Sequence, residues 1–201
     1  PAIYHHWDDA DFPATLDVQL LTSRDGIAWR RQGDRRPFLR KGADGGAAGG
    51  MIFANPWLIE MGDDLWFYYG GQQRRHRHDP EARLSGLFRA SIRRDGFVAL
   101  ESGRGGGSFV TPPLRFDGTA LDLNFDGSAG GWAQMEVLDE AGRVVPGYAF
   151  GDCAPIVGNS VRQRVTWRDG KDMLSLAGRP VRLRFALCAA RLYSFQFVAA
   201  R

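Results

Sequence analysis

The chain has 201 residues, 44% of them hydrophobic and 24% charged, which is the balance of a folded globular protein with room for one large domain or two small ones. No apolar run approaches the roughly 20 residues that a membrane-spanning helix needs, so no membrane span is expected. The net charge of +3 comes from arginines spread along the chain, with Lys41 and Lys171 the only lysines, and so small and dispersed an excess argues against a nucleic-acid partner.

The sequence starts at Pro1 with no initiator Met, signal peptide or capped first element, and enters directly into the polar segment Tyr4-His5-His6-Trp7-Asp8-Asp9. This start is expected of a fragment or a processed chain. Any targeting segment would lie upstream, which leaves the localisation open and compatible with a secreted or periplasmic place. The 26 glycines and 10 prolines fall mostly between short β-rich runs, and no long stretch keeps a 3.6-residue period, so the expected class is all-β.

The first apolar runs are 16–22 and 27–31, separated by Asp25-Gly26. Residues 51–102 then read as one four-stranded antiparallel unit. Its run 51–60 turns at Met61-Gly62-Asp63-Asp64 into 65–71, a polar loop over 72–83 leads to 84–92, and Asp95-Gly96 turns that run into 97–100. Ser23-Arg24-Asp25-Gly26 resembles Arg93-Arg94-Asp95-Gly96 at an offset of 70 residues, a fitting length for a four-stranded blade with long loops. In this register 16–22 and 27–31 are the third and fourth strands of a preceding blade. The expectation is a partial β-propeller of about one and a half blades over 1–102, whose missing upstream blades belong to the same polypeptide.

The run Gly103-Arg104-Gly105-Gly106-Gly107 reads as a boundary. Beyond it, candidate strands at 108–116, 120–125, 132–138, 144–150, 161–167, 181–187 and 192–198 give a β-sandwich pattern over 103–201. Alternation is clear in 181–187, with Val181, Leu183, Phe185 and Leu187 inward and arginines outward. One helical turn is expected over 172–178. Cys153 and Cys188 lack metal-ligand spacing and are too few for a disulfide scaffold, so both are expected to be buried thiols.

The order Ser23-Arg24-Asp25-Gly26 with Trp29, then Gly50-Met51-Ile52-Phe53-Ala54-Asn55-Pro56, Asp63-Asp64-Leu65-Trp66-Phe67-Tyr68-Tyr69 and Arg93-Arg94-Asp95-Gly96-Phe97, resembles the last blades of five-bladed propeller glycoside hydrolases related to families 32 and 43. Leu121-Asp122-Leu123-Asn124, Asp152-Cys153-Ala154-Pro155 and Leu192-Tyr193-Ser194-Phe195 resemble the C-terminal sandwich of bacterial proteins of this kind. The resemblance implies acidic residues around a central channel, most of them on absent blades, so the catalytic residues are unknown. It also implies an Asp shortly before Gly50-Met51, where this chain has Gly45-Gly46-Ala47-Ala48-Gly49-Gly50.

Blade topology places the loop before the first strand and the loop between strands two and three on one mouth. These are 32–50 and 72–83 in the complete blade, and 1–15 in the preceding one. His5, His6, Asp9, Arg74, His76 and His78 fall there, and His with carboxylates suits hydroxyl recognition and proton transfer; the other reading is solvated loop residues. His76 and His78 lack a third spaced ligand, so neither metal nor cofactor is expected. Asp17 and Asn55 are polar residues in apolar strands, which need a partner or a channel; for Asn55 a channel-lining and a satisfied core role stay open. Trp57, Trp66, Phe67, Tyr68 and Tyr69 fit sugar stacking, and fit better as core between blades.

The sandwich is expected to be structural, with Asp122, Asn124, Asp126, Asp139 and Asp152 in turns or on outward positions and no calcium-loop pattern. Were it to hold sugar, Trp132, Tyr148 or Tyr193 would supply the platform. The expected function is the C-terminal part of a carbohydrate-active protein with an oligo- or polysaccharide partner, hydrolysing glycosidic bonds if the intact protein is catalytic, the fragment itself being inactive. A non-catalytic glycan-binding or structural module is the alternative.

Overall fold

A computed structural model describes residues 2–6, 14–76, 80–127 and 130–199, the first of these segments by its backbone. The protein is all-β: its strands form several sheets, none closed into a barrel, and its described helices are single 3-10 turns. It divides into two compact units, Pro1–Val98 and Ala99–Arg201.

The first unit contains β1 (Ala2–His6), β2 (Thr15–Gln19), β3 (Leu21–Thr22), β4 (Arg30–Arg31), β5 (Met51–Ala54), β6 (Ile59–Met61), β7 (Asp64–Gln72) and β8 (Ser85–Arg93). The main sheet runs β1-β2-β5-β7-β6, and β8 pairs along the whole of β7, from Asp64 opposite Arg93 to Gln72 opposite Ser85. Both β5 and β6 hydrogen-bond to β7, at residues 69–72 and 64–66, so the apolar run 51–60 is one strand broken in the middle. The break is chemical. Asn55 accepts the Trp57 amide on its own side-chain oxygen at 3.0 Å, and Pro56 has no amide to give the ladder. Asn55 is therefore exposed and turn-forming rather than a core residue.

Period-2 alternation along β7 buries Leu65 and Phe67 on one face. On that face Phe38 stacks between Phe67 and Phe97, with ring centroids 6.2 and 5.9 Å away, and Tyr69 stacks on Phe88 at 5.3 Å. A buried cluster of Val18, Ala48 and Ile52 continues it. The opposite face carries Phe53, Ile59, Met61, Tyr68 and Leu87, all exposed, and Trp57 in the break is 76% exposed. Of the aromatics expected as core between blades, Phe67 is buried within this unit, whereas Trp57 and Tyr68 are exposed. Trp66 lies under the Arg89 guanidinium, 3.7 Å from its centroid.

No fourth strand follows β8 in this sheet. Asp95 takes the left-handed φ of 54° and Gly96 donates to the Arg93 carbonyl, but Phe97 turns inward onto Phe38, and the next strand pairs elsewhere. The first Asp-Gly copy does lie in a hairpin, but a wide one, with β3 and β4 flanking the loop 23–29 and only Arg30–Arg31 of the expected strand 27–31 in strand conformation.

The second unit contains β9 (Leu100–Ser102), β10 (Gly107–Val110), β11 (Ala120–Asp126), β12 (Trp132–Asp139), β13 (Ile156–Val157), β14 (Asn159–Arg164), β15 (Val181–Cys188) and β16 (Ala190–Val198). Two four-stranded antiparallel sheets, β10-β15-β12-β13 and β14-β11-β16-β9, bury their apolar residues in one cluster. Val181, Leu183, Phe185 and Leu187 point into it as their alternation requires, against Leu121, Leu123 and Phe125 of the other sheet. Phe185 stacks on Phe109 with centroids 5.0 Å apart.

The run 144–150 is not a strand. Val144 makes a single bridge to Leu138, Gly147 takes φ 85°, and the chain folds over the outer face of β12 as the 3-10 turn Phe150–Asp152. Under that cover Glu136, 5% exposed, pairs with Arg184 at 2.6 Å and accepts the Phe150 amide at 3.4 Å. The expected helical turn is the 3-10 turn Leu174–Leu176.

Candidate functional site

Of the segments that topology assigns to one mouth, 2–6 is the strand β1 rather than loop, and the described parts of 32–50 and 72–83 meet the end of the main sheet where β1 carries His5 and His6. In the β1–β2 register His5 stands opposite Leu16 and His6 opposite Thr15. The next residue back, Ala14, accepts the His76 amide at 2.9 Å, while Leu16 donates to Gly50 at 3.2 Å and Gly50 to Gln72 at 2.9 Å. The backbones of His5, His6, Arg74 and His76 thus share one end, where the strand residues Leu16, Met51 and Gln72 meet. Asp9 and His78 lie outside the described residues.

Asn55 does not join that end, and Asp17 follows Leu16 by one residue along β2. Asp17 is 6% exposed in the middle of β2, on the face opposite Val18 by alternation, next to Gln19 at 2%. Asn55 sits opposite Tyr68, about 13 Å along β5 from Met51 at roughly 3.3 Å per residue.

Between the two loops that frame this end lies a cavity of about 580 Å³, lined by Asp44, Gly45, Gly49, Gln73, Arg75 and Glu81 among others. Gln73 stitches the loops together: its amide nitrogen donates to the Gly45 carbonyl at 3.0 Å, and its oxygen accepts the amides of Arg83 at 3.3 Å and Leu84 at 3.2 Å. The glycine run has a steric cause. A Cβ on Gly49 would stand 2.2 Å from the Ala43 oxygen, so no side chain fits at that one of the positions shortly before Gly50-Met51 where the resemblance implies an acid.

Asp44 is the acid that the loop does offer. Its side chain is 90% exposed and ion-paired with Lys41, whose hydrogen bond and charge, with the more distant Arg75 charge, hold the carboxyl below its usual range. Glu81 is 91% exposed beside Arg83 at 3.5 Å, and Arg75 is half-buried. Ionised carboxylates accept hydroxyl protons, while Gln and Arg donate, so the lining suits a polyhydroxylated ligand. Asp44, Gln73, Arg75 and Glu81 were not singled out from the sequence. The signal was present, because all four lie in the two loops that topology had assigned to this mouth.

In the second unit Asp122, Asp139 and Asp152 are engaged in local structure. Asp122 is ion-paired with Arg164, Asp139 accepts the Arg143 amide at 2.9 Å in the turn after β12, and Asp152 accepts the Ala149 amide at 3.1 Å. Asn124, expected outward, is 3% exposed at a bulge in β11. Tyr148 is not a sugar platform: it is buried, its hydroxyl donating to the Asp172 carbonyl at 2.5 Å and its ring edge-on to Trp167. Cys153 is buried, Cys188 only half so, and the two are not paired.

Among the described residues no three His, Cys, Asp or Glu side chains gather as a metal site, and no helix is long and apolar enough to cross a membrane. Comparison with family models, with curated proteins and with solved structures finds no significant match to this chain.

Proposed function

We propose that this chain is the carbohydrate-contacting part of a glycoside-hydrolase-like protein, and that the loop end of its first unit binds an oligo- or polysaccharide. The observation that carries the reading is the polar cavity between residues 43–50 and 72–82, where Gln73 holds the loops together and Asp44, Arg75 and Glu81 offer acceptors and donors. A cavity of about 580 Å³ falls within the few hundred to about 1,000 Å³ usual for small-ligand sites.

The chain's own residues bind rather than cleave in this reading. A glycosidase acid needs its pKa raised by an apolar surrounding, and Lys41 acts on Asp44 in the other direction. Cleavage, if the intact protein is catalytic, needs paired carboxylates other than those of this cavity.

The architecture proposed with it is a piece of β-propeller followed by a β-sandwich. The exposed apolar face bearing Ile59, Met61, Tyr68 and Leu87 is what a blade turns toward its neighbour, and the two sheets around one core in the second unit are what a sandwich requires.

Calorimetric titration of the full chain with neutral and acidic oligosaccharides tests the function. Saturable binding is expected, weakened about fivefold or more by Asp44→Asn or Arg75→Gln at unchanged melting temperature. Absence of binding across the panel, or binding indifferent to both substitutions, would overturn it.

A further inference from the structure

The arginines are not dispersed once the chain folds. Residues 22–36 hold Arg24, Arg30, Arg31, Arg35 and Arg36 against two acids, Asp25 and Asp34. Pairing of β3 with β4 sets Arg30 opposite Thr22 and Arg31 opposite Leu21. Gln32 then locks the hairpin, its amide donating to Leu20 at 3.0 Å and its side chain to the Thr22 hydroxyl at 2.6 Å. Buried Gln19 donates its side-chain amide to the Arg35 carbonyl at 2.8 Å, which ties the following turn to β2.

Two open cavities result, one of about 780 Å³ lined by Arg30, Arg31, Asp34 and Arg35, the other of about 660 Å³ lined by Ser23, Arg24, Asp25 and Arg30. They share Arg30 and Gln32 and so form one surface. The acid in the second is consumed within its own turn. Asp25 accepts the Ser23 hydroxyl at 2.9 Å and the amides of Ile27 and Ala28 at 2.8 Å each. Among the described residues no carboxylate pairs with Arg24, Arg30, Arg35 or Arg36. Trp29 stands in the same hairpin, 59% exposed, with its ring nitrogen fixed on the Gly26 carbonyl at 3.1 Å.

We infer that residues 22–36 form a binding surface for an acidic polysaccharide, with its uronate carboxylates or sulfate esters among Arg24, Arg30, Arg31 and Arg35. That the polyanion is a glycan rests on the carbohydrate reading above; that a polyanion binds here rests on the arginines. Guanidinium forks match planar carboxylates and sulfate oxygens, and a rigid indole beside them offers a face to a sugar ring. Two features favour a glycan over a nucleic acid. Single-stranded nucleic acids are held by successive aromatic rings, and this hairpin has one. Asp34 inside the arginine cavity accepts hydroxyl protons, and a polysaccharide offers free hydroxyls beside its charged groups where a single-stranded DNA backbone offers none.

The test compares the full chain with the Arg30→Gln/Arg35→Gln double variant, both exposed positions, with Arg168→Gln as the control, and with Asp44→Asn to report on the other cavity. The probes are oligogalacturonate, dextran sulfate, neutral dextran and poly(dT). Salt-sensitive binding of an acidic glycan is expected, weakened about fivefold to tenfold in the double variant and unchanged in Arg168→Gln. Preference for oligogalacturonate identifies carboxylate as the ligand group, and preference for dextran sulfate identifies sulfate. Equal binding by the double variant, acidic glycans binding no better than dextran, or tighter binding of poly(dT) overturns the inference. If dextran still binds in an Asp44-dependent way while the acidic arm fails, this inference falls alone. If no glycan binds, the carbohydrate reading falls with it.

Discussion

Gly50 and Arg74 approach so closely that a Cβ on Gly50 would stand 2.3 Å from the Arg74 carbonyl oxygen, a distance no real Cβ contact tolerates. The contact is backbone on backbone, so no side chain can rotate away to relieve it. Gly50 also donates its amide to Gln72 and accepts that of Leu16, which makes it the point where the two cavity loops and β2 are held in register. Gly50→Ala is expected to cost about 1–3 kcal/mol by overpacking and to weaken ligand binding through displaced loops. Chemical denaturation together with a binding titration checks it. A fully stable Gly50→Ala protein would mean that these loops give way easily and do not preform the cavity.

The exposed apolar face of the first unit makes a separate prediction. Leu87 is 75% and Met61 47% exposed, so neither contributes much to the stability of this chain as it stands. Leu87→Lys and Met61→Lys should each change unfolding free energy by less than about 0.5 kcal/mol while reducing self-association, because contiguous exposed apolar surface is what drives it. Light scattering and denaturant titration of the pair separate the two effects. A large stability loss from either substitution would show that the face is covered.

How much of this was legible in the sequence follows from where each partner lies. The alternation in Val181–Cys188 fixes which residues point inward regardless of what they meet, and the structure buries Val181, Leu183, Phe185 and Leu187 accordingly. The strand after Asp95-Gly96 was not legible. A turn signal tells that the chain bends, not what it meets afterwards, and Leu100–Ser102 pairs with residues Ala190, Arg191 and Leu192 at the far end of the sequence. Val144 and Val145 look like strand because they are β-branched, yet Gly147 ends the run after one bridge. At the candidate site topology indicated the loops, but attention to histidine overlooked Asp44 and Glu81, which by type alone are ordinary solvated acids. The arginine surface was half legible: Arg24, Arg30, Arg31, Arg35 and Arg36 stand within residues 22–36, but a charge summed over the whole chain averages them away, and only the hairpin sets Arg30 opposite Thr22 and Arg31 opposite Leu21.

The Asp25 turn predicts an acid limb. Hydrogen bonds from Ile27 first, then Ala28 and Ser23, lower the Asp25 pKa below its ordinary 3.8. A carboxyl with a depressed folded-state pKa stabilises the fold above the unfolded value, and that contribution is lost as pH falls through the folded one. Asp25→Asn should therefore lower the melting temperature at pH 6, by an amount that shrinks as pH falls below 3.8, relative to the parent. Melts across that range measure it. A gap between the two proteins that stays constant with pH would show that the turn holds the Asp25 oxygen without regard to its charge.

Cys153 supplies the alkaline counterpart. Its thiol is buried in the core of the second unit and donates to the Ala154 carbonyl at 3.4 Å, and burial pushes its pKa above the ordinary 9.0 despite the opposing backbone hydrogen bond from Met135. A group whose folded pKa is raised contributes stability that is complete below the unfolded pKa and lost as pH rises through the folded one. The parent should lose stability above about pH 9, as the unfolded thiol ionises and the buried one resists, and Cys153→Ala should flatten that loss at the expense of a cavity. The same burial sets reactivity, since only a thiolate attacks an alkylating agent. Half-buried Cys188 should react with iodoacetamide at pH 8 well before Cys153, whose modification should track unfolding. Mass mapping of the alkylated peptides over time decides the point, and equal rates at the two cysteines would contradict the packing described around Cys153.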